Sequence, residues 1–253
     1  MNPAPRLFDA HLHIIDSAYP LVANHGYLPD EFTIADYRAR VDGLGVVGGA
    51  VVSGSFQAFD QGYLVDALGE LGPNYVGVTQ LPADTDDARI RELHEAGVRA
   101  VRFNLVRGGS ADLDDLELLA RRVHHLAGWH TEFYVDASTV DDALAARIAA
   151  LPAAVVDHLG MHADGVPRLL SLVERGVKVK ATGFGRVDLD PASVIAAVVA
   201  VDPTALMVGT DLPSTRARRP FRDDDLALVA RSVPAEVLED VFWNNAAALY
   251  LGR

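Results

Sequence analysis

Eight short apolar runs, rich in β-branched residues, recur along this chain, and each is followed by an amphipathic stretch rich in Ala, Leu and Arg. The runs lie near residues 6–12, 46–53, 75–80, 98–104, 131–136, 153–157, 177–181 and 205–209. The stretches lie near 33–43, 60–71, 84–96, 112–127, 139–150, 164–175 and 191–201, with a last helical region over 222–250 whose second part opens at Pro234. A strand that is apolar along its whole length is covered on both faces, and parallel strands need helical crossovers to join them. Eight such units without a hairpin turn predict an α/β protein closed as a (β/α)8 TIM barrel. An open doubly wound sheet is the alternative. It is disfavoured because no Gly-x-Gly-x-x-Gly loop follows the first run, which also argues against a nucleotide cofactor. The 253 residues suit one barrel, and no linker divides them, so a single domain over 1–253 is expected.

Half of the residues are hydrophobic and 23% are charged, which excludes general disorder and leaves only residues 1–5 as a candidate for it. No apolar run approaches the roughly 18 residues of a membrane span, and the start is polar with prolines. Neither an anchor nor a signal peptide is expected, and a cytoplasmic location is the default. The absence of cysteine removes disulfides and thiolate ligands, so any metal would take His and carboxylate ligands. A net charge of −13 argues against nucleic acid and anionic membranes as partners, whereas local arginines can still recognise a small anion. A homo-oligomer is compatible with the sequence, which does not fix the oligomeric state.

Barrel chemistry sits at the C-terminal ends of strands, so the residues that close each run are the candidates. The first run ends in Asp9-Ala10-His11-Leu12-His13. Positions i and i+2 of a strand share a face, so His11 and His13 can converge on one metal ion, one water or one substrate oxygen. The other runs contribute Ser53 and Ser55, Gln80, Arg102 and Asn104, Tyr134 and Asp136, His158, Lys180 with Arg186 just beyond, and Asp211. Packing alone does not predict polar residues collected at one end of an apolar barrel.

Other conspicuous residues have plainer readings. His124 and His125 follow Arg121 and Arg122 late in a helix, where cations suit the C-terminus. His94 and His162 look like surface residues, and His25 sits in a loop beside Tyr27. Lys180 lies among apolar neighbours and needs a partner if buried. Arg216, Arg218 and Arg219 follow the eighth strand, where they either recognise an anion or solvate a mobile loop.

These residues together resemble the amidohydrolase-related TIM-barrel hydrolases, and within them the 2-pyrone-4,6-dicarboxylate lactonase group. The resemblance spans nearly the whole chain. It rests on Asp9-Ala10-His11-Leu12-His13, on Gly97 through Asn104, on Gly128-Trp129-His130, on Asp157-His158-Leu159-Gly160, on Lys180-Ala181-Thr182-Gly183, on Gly209 through Pro213 and on Asn244 through Tyr250. It implies a barrel of the metal-dependent-hydrolase type. It also implies catalytic roles for His11, His13, His158 and Asp211, with Asp211 as the base that activates water. Arg102, Arg186, Tyr134, Tyr27 and Ser55 resemble positions that hold the carboxylates and the lactone. One basic position after the strand-four Arg-Phe-Asn is missing, and Arg107 stands one place early. The substrate then carries one carboxylate rather than two, or Arg107 serves by a shifted route.

A binuclear centre needs a bridging Lys or Glu closing strand four and a His closing strand five. Strand four closes with Asn104, and the only strand-five histidine, His130, is at the opposite end. The expected cofactor is therefore none, or one divalent ion, Zn or Mn, at His11, His13, His158 and Asp211. In the metal-free reading Asp211 is the base, the three histidines polarise the carbonyl or stabilise the developing negative charge, and Arg102 and Arg186, with no acidic partner beside them in sequence, anchor carboxylate. The activity expected is opening of a carboxylated cyclic ester. The alternatives are metal-dependent decarboxylation, or another amidohydrolase-type reaction on a small carboxylic acid. A barrel that only binds its ligand is disfavoured by the retained His and Asp set.

Overall fold

The structure, a computed structural model, describes residues 6–253; residues 1–5, the candidate for disorder, lie outside the described residues. Eight parallel strands follow one another around a single sheet in chain order. They are β1 (Leu7–Leu12), β2 (Val46–Val52), β3 (Tyr75–Thr79), β4 (Val98–Asn104), β5 (His130–Tyr134), β6 (Ala154–Val156), β7 (Lys178–Ala181) and β8 (Leu206–Val208). A parallel bridge between Leu12 and Leu212 joins the last strand end to the first, as do the bonds from His13 N to Leu212 O (2.8 Å) and from Asp211 N to His11 O (2.7 Å). The expected eight-stranded (β/α)8 barrel is the observed fold.

Helices cross between the strands: α1 (Ile34–Val41), α2 (Gly62–Leu71), α3 (Asp87–Glu95), α4 (Leu116–Ala127), α5 (Asp142–Ala149), α6 (Val166–Val173) and α7 (Pro191–Val201). The final helical region is broken at Pro234, as its sequence suggests, into α8 (Asp223–Ser232) and α9 (Asn245–Leu251). No helix among the described residues is long and apolar enough to cross a membrane.

Apolar side chains form two layers. Leu7, Leu12, Val51, Val98, Phe103 and Phe133 pack outward against the helices. Phe8, Ala10, Val52, Val78, Val155 and Met207 pack with Trp243 and Tyr250 of the C-terminal segment. The second cluster fills the lower barrel, so the strand C-termini at the other end are left to carry polar groups.

Candidate active site

The seam between β1 and β8 builds the centre of the site. Asp9 is fully buried; its Oδ1 accepts from Thr210 N at 2.7 Å and its Oδ2 from Thr210 Oγ1 at 2.7 Å and Tyr37 OH at 3.1 Å. This ties the strands carrying the histidine pair and Asp211. The register of β1 shifts between Asp9 and Leu12, and such an irregularity re-aims side chains. Gly209 permits the approach, because a Cβ there would lie 2.7 Å from His11 N and 2.9 Å from Asp9 Oδ1.

Asp211 Oδ1 then faces His13 Nε2 at 3.7 Å, His11 Nε2 at 3.9 Å and His158 Nε2 at 3.9 Å, and all four residues are buried. Both Asp211 (φ 60°) and His158 (φ 52°) adopt left-handed backbone conformations that non-glycine residues avoid, a strain concentrated at functional sites. The structure thus brings together the four residues that the sequence singles out.

Proton positions follow from the partners. His13 Nδ1 lies 2.7 Å from the Val52 carbonyl, which only accepts, so Nδ1 carries the proton and Nε2 offers a lone pair. His11 Nδ1 lies 3.4 Å from an Asp157 oxygen, which favours the same tautomer. His158 differs: its Nδ1 is 2.7 Å from Thr182 Oγ1, and a hydroxyl can donate, leaving Nε2–H free to point outward. A Cβ at Gly183 would lie 2.7 Å from His158 Nδ1, so a side chain there would displace the ring. Of the three imidazoles expected to polarise the carbonyl or stabilise the developing negative charge, His158 is the ring that these partners place to donate.

His11 Nε2 and Asp211 Oδ1 have no hydrogen-bond partner among the described residues. Converging buried acceptors of this kind call for a cation or a water with two protons to give. His11, His13 and Asp211 offer ligand atoms within 4.8 Å of one another, and His158 adjoins them. The donor set fits one divalent ion of Zn or Mn type. A second group, His11, Asp157 and His158, overlaps the first, but Arg102 and Lys180 already neutralise Asp157.

The two arginines expected to stand free do not. Arg102 donates to Asp157 Oδ2 through Nε (3.0 Å) and Nη2 (2.8 Å), and to the Ser53 carbonyl. Arg186 donates to Asp211 Oδ2 through Nε (2.8 Å) and Nη2 (2.5 Å). Their partners lie 55 and 25 residues away, beyond any sequence neighbourhood.

A third pair lies beneath. Lys180 Nζ, fully buried, donates to Glu132 Oε2 at 2.5 Å and lies 3.5 Å from His11 Nδ1. Glu132 Oε1 also accepts from Tyr250 OH (2.5 Å) and lies 3.1 Å from His130 Nε2. Sequence reasoning missed Glu132 and Asp157. The signal was a carboxylate within or just after an otherwise apolar strand, which a barrel interior tolerates only when paired.

Electrostatics follow burial and these partners. Burial lowers His11 to about 4 and takes His158 well below the usual histidine range, so both are neutral at pH 7. Burial opposes charge on Asp211 and Asp157, yet Arg186 and Arg102 respectively hold their carboxyls well below the usual range. Burial likewise opposes charge on Glu132, yet Lys180 and His130 together hold it at about 2. Burial raises Asp9 to about 6 despite its hydrogen bonds.

A cleft above this floor is lined by His13, His158, Ser55, Tyr134 and Asn104 together with Arg102, Arg107, Arg186 and Arg216. Tyr27 is not part of the lining; its ring carries the Arg216 guanidinium at 4.3 Å. Asp136 caps a turn instead, accepting from Ser138 N at 2.9 Å. Gln80 donates to the carbonyls of Gly54 (3.2 Å) and Ala58 (2.9 Å). His25, His124 and His125 are exposed.

The amidohydrolase family model matches residues 8–251, so the chain belongs to that family of enzymes, with hydrolases among its relatives. The 2-pyrone-4,6-dicarboxylate hydrolase of Comamonas testosteroni is 34% identical over 157 residues, 60% of this chain and 51% of that protein, so the match spans about half of that relative. The 4-sulfomuconolactone hydrolase of Rhizobium radiobacter is 26% identical over 96% of this chain and 89% of its own length. Among solved structures, an apo protein of Agrobacterium tumefaciens superposes with a TM-score of 0.87 at 24% identity, covering 99% of this chain and 98% of the other, a likeness of fold.

Proposed function

We propose that this chain opens a carboxylated cyclic ester by hydrolysis, with Asp211 as the base. The observation that carries this reading is the convergence of Asp211 Oδ1 with the imidazole Nε2 atoms of His11, His13 and His158 beneath an arginine-lined cleft. The activities named for the two relatives, hydrolysis of 2-pyrone-4,6-dicarboxylate and of a sulfomuconolactone, support the same substrate class.

A water donating to Asp211 Oδ1 and His13 Nε2 keeps a lone pair for the acyl carbon of the lactone. As the new C–O bond forms, Asp211 takes one proton from water and the carbonyl oxygen takes up charge, which the His158 N–H stabilises. The ring C–O bond then breaks, and the departing ring oxygen receives the proton from Asp211. Water has been added across the ester, giving a hydroxyl or its keto form and a carboxylic acid, which releases its proton to solvent to become the carboxylate.

Arg186 has two roles in this reading. Its grip on Asp211 weakens the base while the cleft holds no substrate. A substrate carboxylate competes for the same guanidinium, and its arrival returns basicity to Asp211 beside the bound ester. An ion held by His11, His13 and Asp211, with the His158 N–H beside it, would add Lewis-acid polarisation and a more acidic water.

The same acceptor set favours a second reading, metal-dependent decarboxylation of a small carboxylic acid. The deciding experiment follows ring absorbance of 2-pyrone-4,6-dicarboxylate and its two monocarboxylates while assaying carbon dioxide release. Ring opening without carbon dioxide is the expected result; intact rings in all three reject lactone hydrolysis.

A further inference from the structure

Beneath the floor of the cleft lies a set of buried charges that the proposed reaction does not touch. Glu132 on β5, Lys180 on β7 and Asp157 just after β6 are all fully buried. The two oxygens of Glu132 have separate duties. Oε1 accepts from Tyr250 OH at 2.5 Å and lies 3.1 Å from His130 Nε2, while Oε2 is left to Lys180 Nζ at 2.5 Å. Arg102 pairs with Asp157 in the same way, so two cations balance two carboxylates. Stability alone does not call for such a set, because an apolar pair of similar volume fills a core without the cost of desolvating charge.

The set meets the site at His11. His11 Nδ1 lies 3.4 Å from Asp157 Oδ1, a carboxylate oxygen that accepts, and 3.5 Å from Lys180 Nζ, which donates. Lys180 Nζ is 3.6 Å from that same Asp157 oxygen, so the three atoms form a nearly equilateral triangle. Two forms of the ring, both neutral, answer to these neighbours. With Nδ1–H turned to Asp157, the Nε2 lone pair faces Asp211 Oδ1 at 3.9 Å, and neither of those atoms has a hydrogen-bond partner among the described residues. With Lys180 donating to Nδ1, the proton sits on Nε2 and points at Asp211 Oδ1, where it occupies the lone pair that a base needs. The hold on Lys180 therefore decides between them, and Glu132 has it at 2.5 Å against 3.5 Å for His11.

We infer that Glu132 is a positioning residue: by gripping Lys180 it keeps the ammonium off His11 Nδ1, holds that ring in its Nδ1–H form, and leaves His11 Nε2 and Asp211 Oδ1 open together. Glu132 itself does not line the cleft, so it acts through Lys180 and His11 and not on the substrate. The kinetic half of the inference rests on Asp211 being the base of the proposed hydrolysis. The tautomer half does not.

Nitrogen NMR of the full chain with isotope-labelled histidine, freed of metal by a chelator at pH 7, reads the tautomer, because protonated and unprotonated ring nitrogens resonate apart. The His11 signals are those lost in His11→Asn. Wild type should hold the Nδ1–H form in about tenfold excess or more, the ratio that one charge-assisted hydrogen bond sustains. Glu132→Gln frees Lys180 and should make the Nε2–H form the major one, with kcat lower by about tenfold or more. Adding Lys180→Met removes the competing donor and restores charge balance, so the double variant should regain the Nδ1–H form and most of kcat. Tyr250→Phe takes a donor from Oε1 but leaves Oε2 on Lys180; it should lower stability without moving the ring proton. Where Glu132→Gln does not fold, Glu132→Asp keeps the charge balance but draws the carboxylate back by one methylene, and Nε2–H should rise there by a smaller amount. An Nε2–H ring in wild type, an unshifted ring in the folded Glu132 variant, a shift that persists in the double variant, or a shift without loss of kcat overturns the positioning role. A shifted ring in a chain that opens no lactone keeps the hold of Glu132 on the tautomer and rejects the hydrolase reading, whereas an unshifted ring in a chain that opens one does the reverse.

Discussion

Arg186 donates through Nε and Nη2 to one oxygen of Asp211, Oδ2, and leaves the other, Oδ1, facing three imidazole nitrogens at 3.7 to 3.9 Å. The carboxylate is thus divided between a salt bridge that fixes its plane and a free lone pair that faces the reacting position. A residue held this way is fixed in the scaffold by one oxygen and keeps the other for the proposed role as base.

Asp211→Asn tests the reactive half. The amide keeps the shape but removes the proton acceptor, so kcat should fall by more than about a hundredfold while the far-UV spectrum stays native. Retention of more than about a tenth of the rate, a cost under roughly 1.4 kcal/mol, rejects Asp211 as the base.

Arg102 should behave differently from a surface anchor. It is 3% exposed, and its partner Asp157 is fully buried, so removing the guanidinium strands a charge beside Lys180 and His11. Arg102→Met should cost about 3–5 kcal/mol of stability in denaturant titration. A loss below about 1 kcal/mol with a tenfold rise in KM would instead make Arg102 a substrate anchor of the kind its sequence position suggests.

Much of this was legible in the sequence, for physical reasons that differ by element. The strands were legible because both faces are buried, which forces unbroken apolar runs. Their ends were least distinct where polar caps follow, as at Asp136, which reads like a strand-end residue but caps a turn. His11, His13, His158 and Asp211 were legible because barrel chemistry gathers at strand C-termini. The partners of Arg102, Arg186 and Lys180 were not, since pairing depends on which side chains the closed barrel sets opposite one another. The roles of the histidines were hidden for the same reason: the Val52 carbonyl, 39 residues from His13, decides which of its nitrogens carries the proton.

The acid limb of the rate should lie low. Asp211 stays ionised far into acid, and burial keeps His11 neutral until the pH falls to about 4. Protonation puts a hydrogen on the lone pair that faces Asp211. The part of the acid limb of kcat/KM that belongs to His11 should therefore set in only below about pH 4, falling about tenfold per unit. Folding stability follows with the same sign for His11: the unfolded chain binds the extra proton between pH 6.5 and about 4, so this contribution is present above 6.5 and lost as pH falls through that window. Asp9 has the opposite slope, because its folded carboxyl titrates near 6 and the unfolded one near 3.8. Asp9→Asn should therefore steepen the loss of stability between pH 6 and pH 4. An unchanged slope there, or a rate that stays flat below pH 4, contradicts these assignments.

Metal content provides the last test, because the ligand arithmetic is restrictive. His11, His13 and Asp211 make one set, with His158 beside it, and the group that includes His158 needs Asp157, whose oxygens already face Arg102, Lys180 and His11. Elemental analysis of protein purified without added metal should find no more than one equivalent of transition metal per chain. If an ion occupies the first set, zinc at a hundredfold excess over its dissociation constant should stabilise the fold by about 2.7 kcal/mol. That stabilisation should vanish in His13→Ala, which removes a ligand. It should persist in Arg107→Met, where only a cation at the cleft mouth is lost. Two equivalents of metal, or a zinc effect indifferent to His13, would mean that ions bind elsewhere and that the three imidazoles and Asp211 converge on water alone.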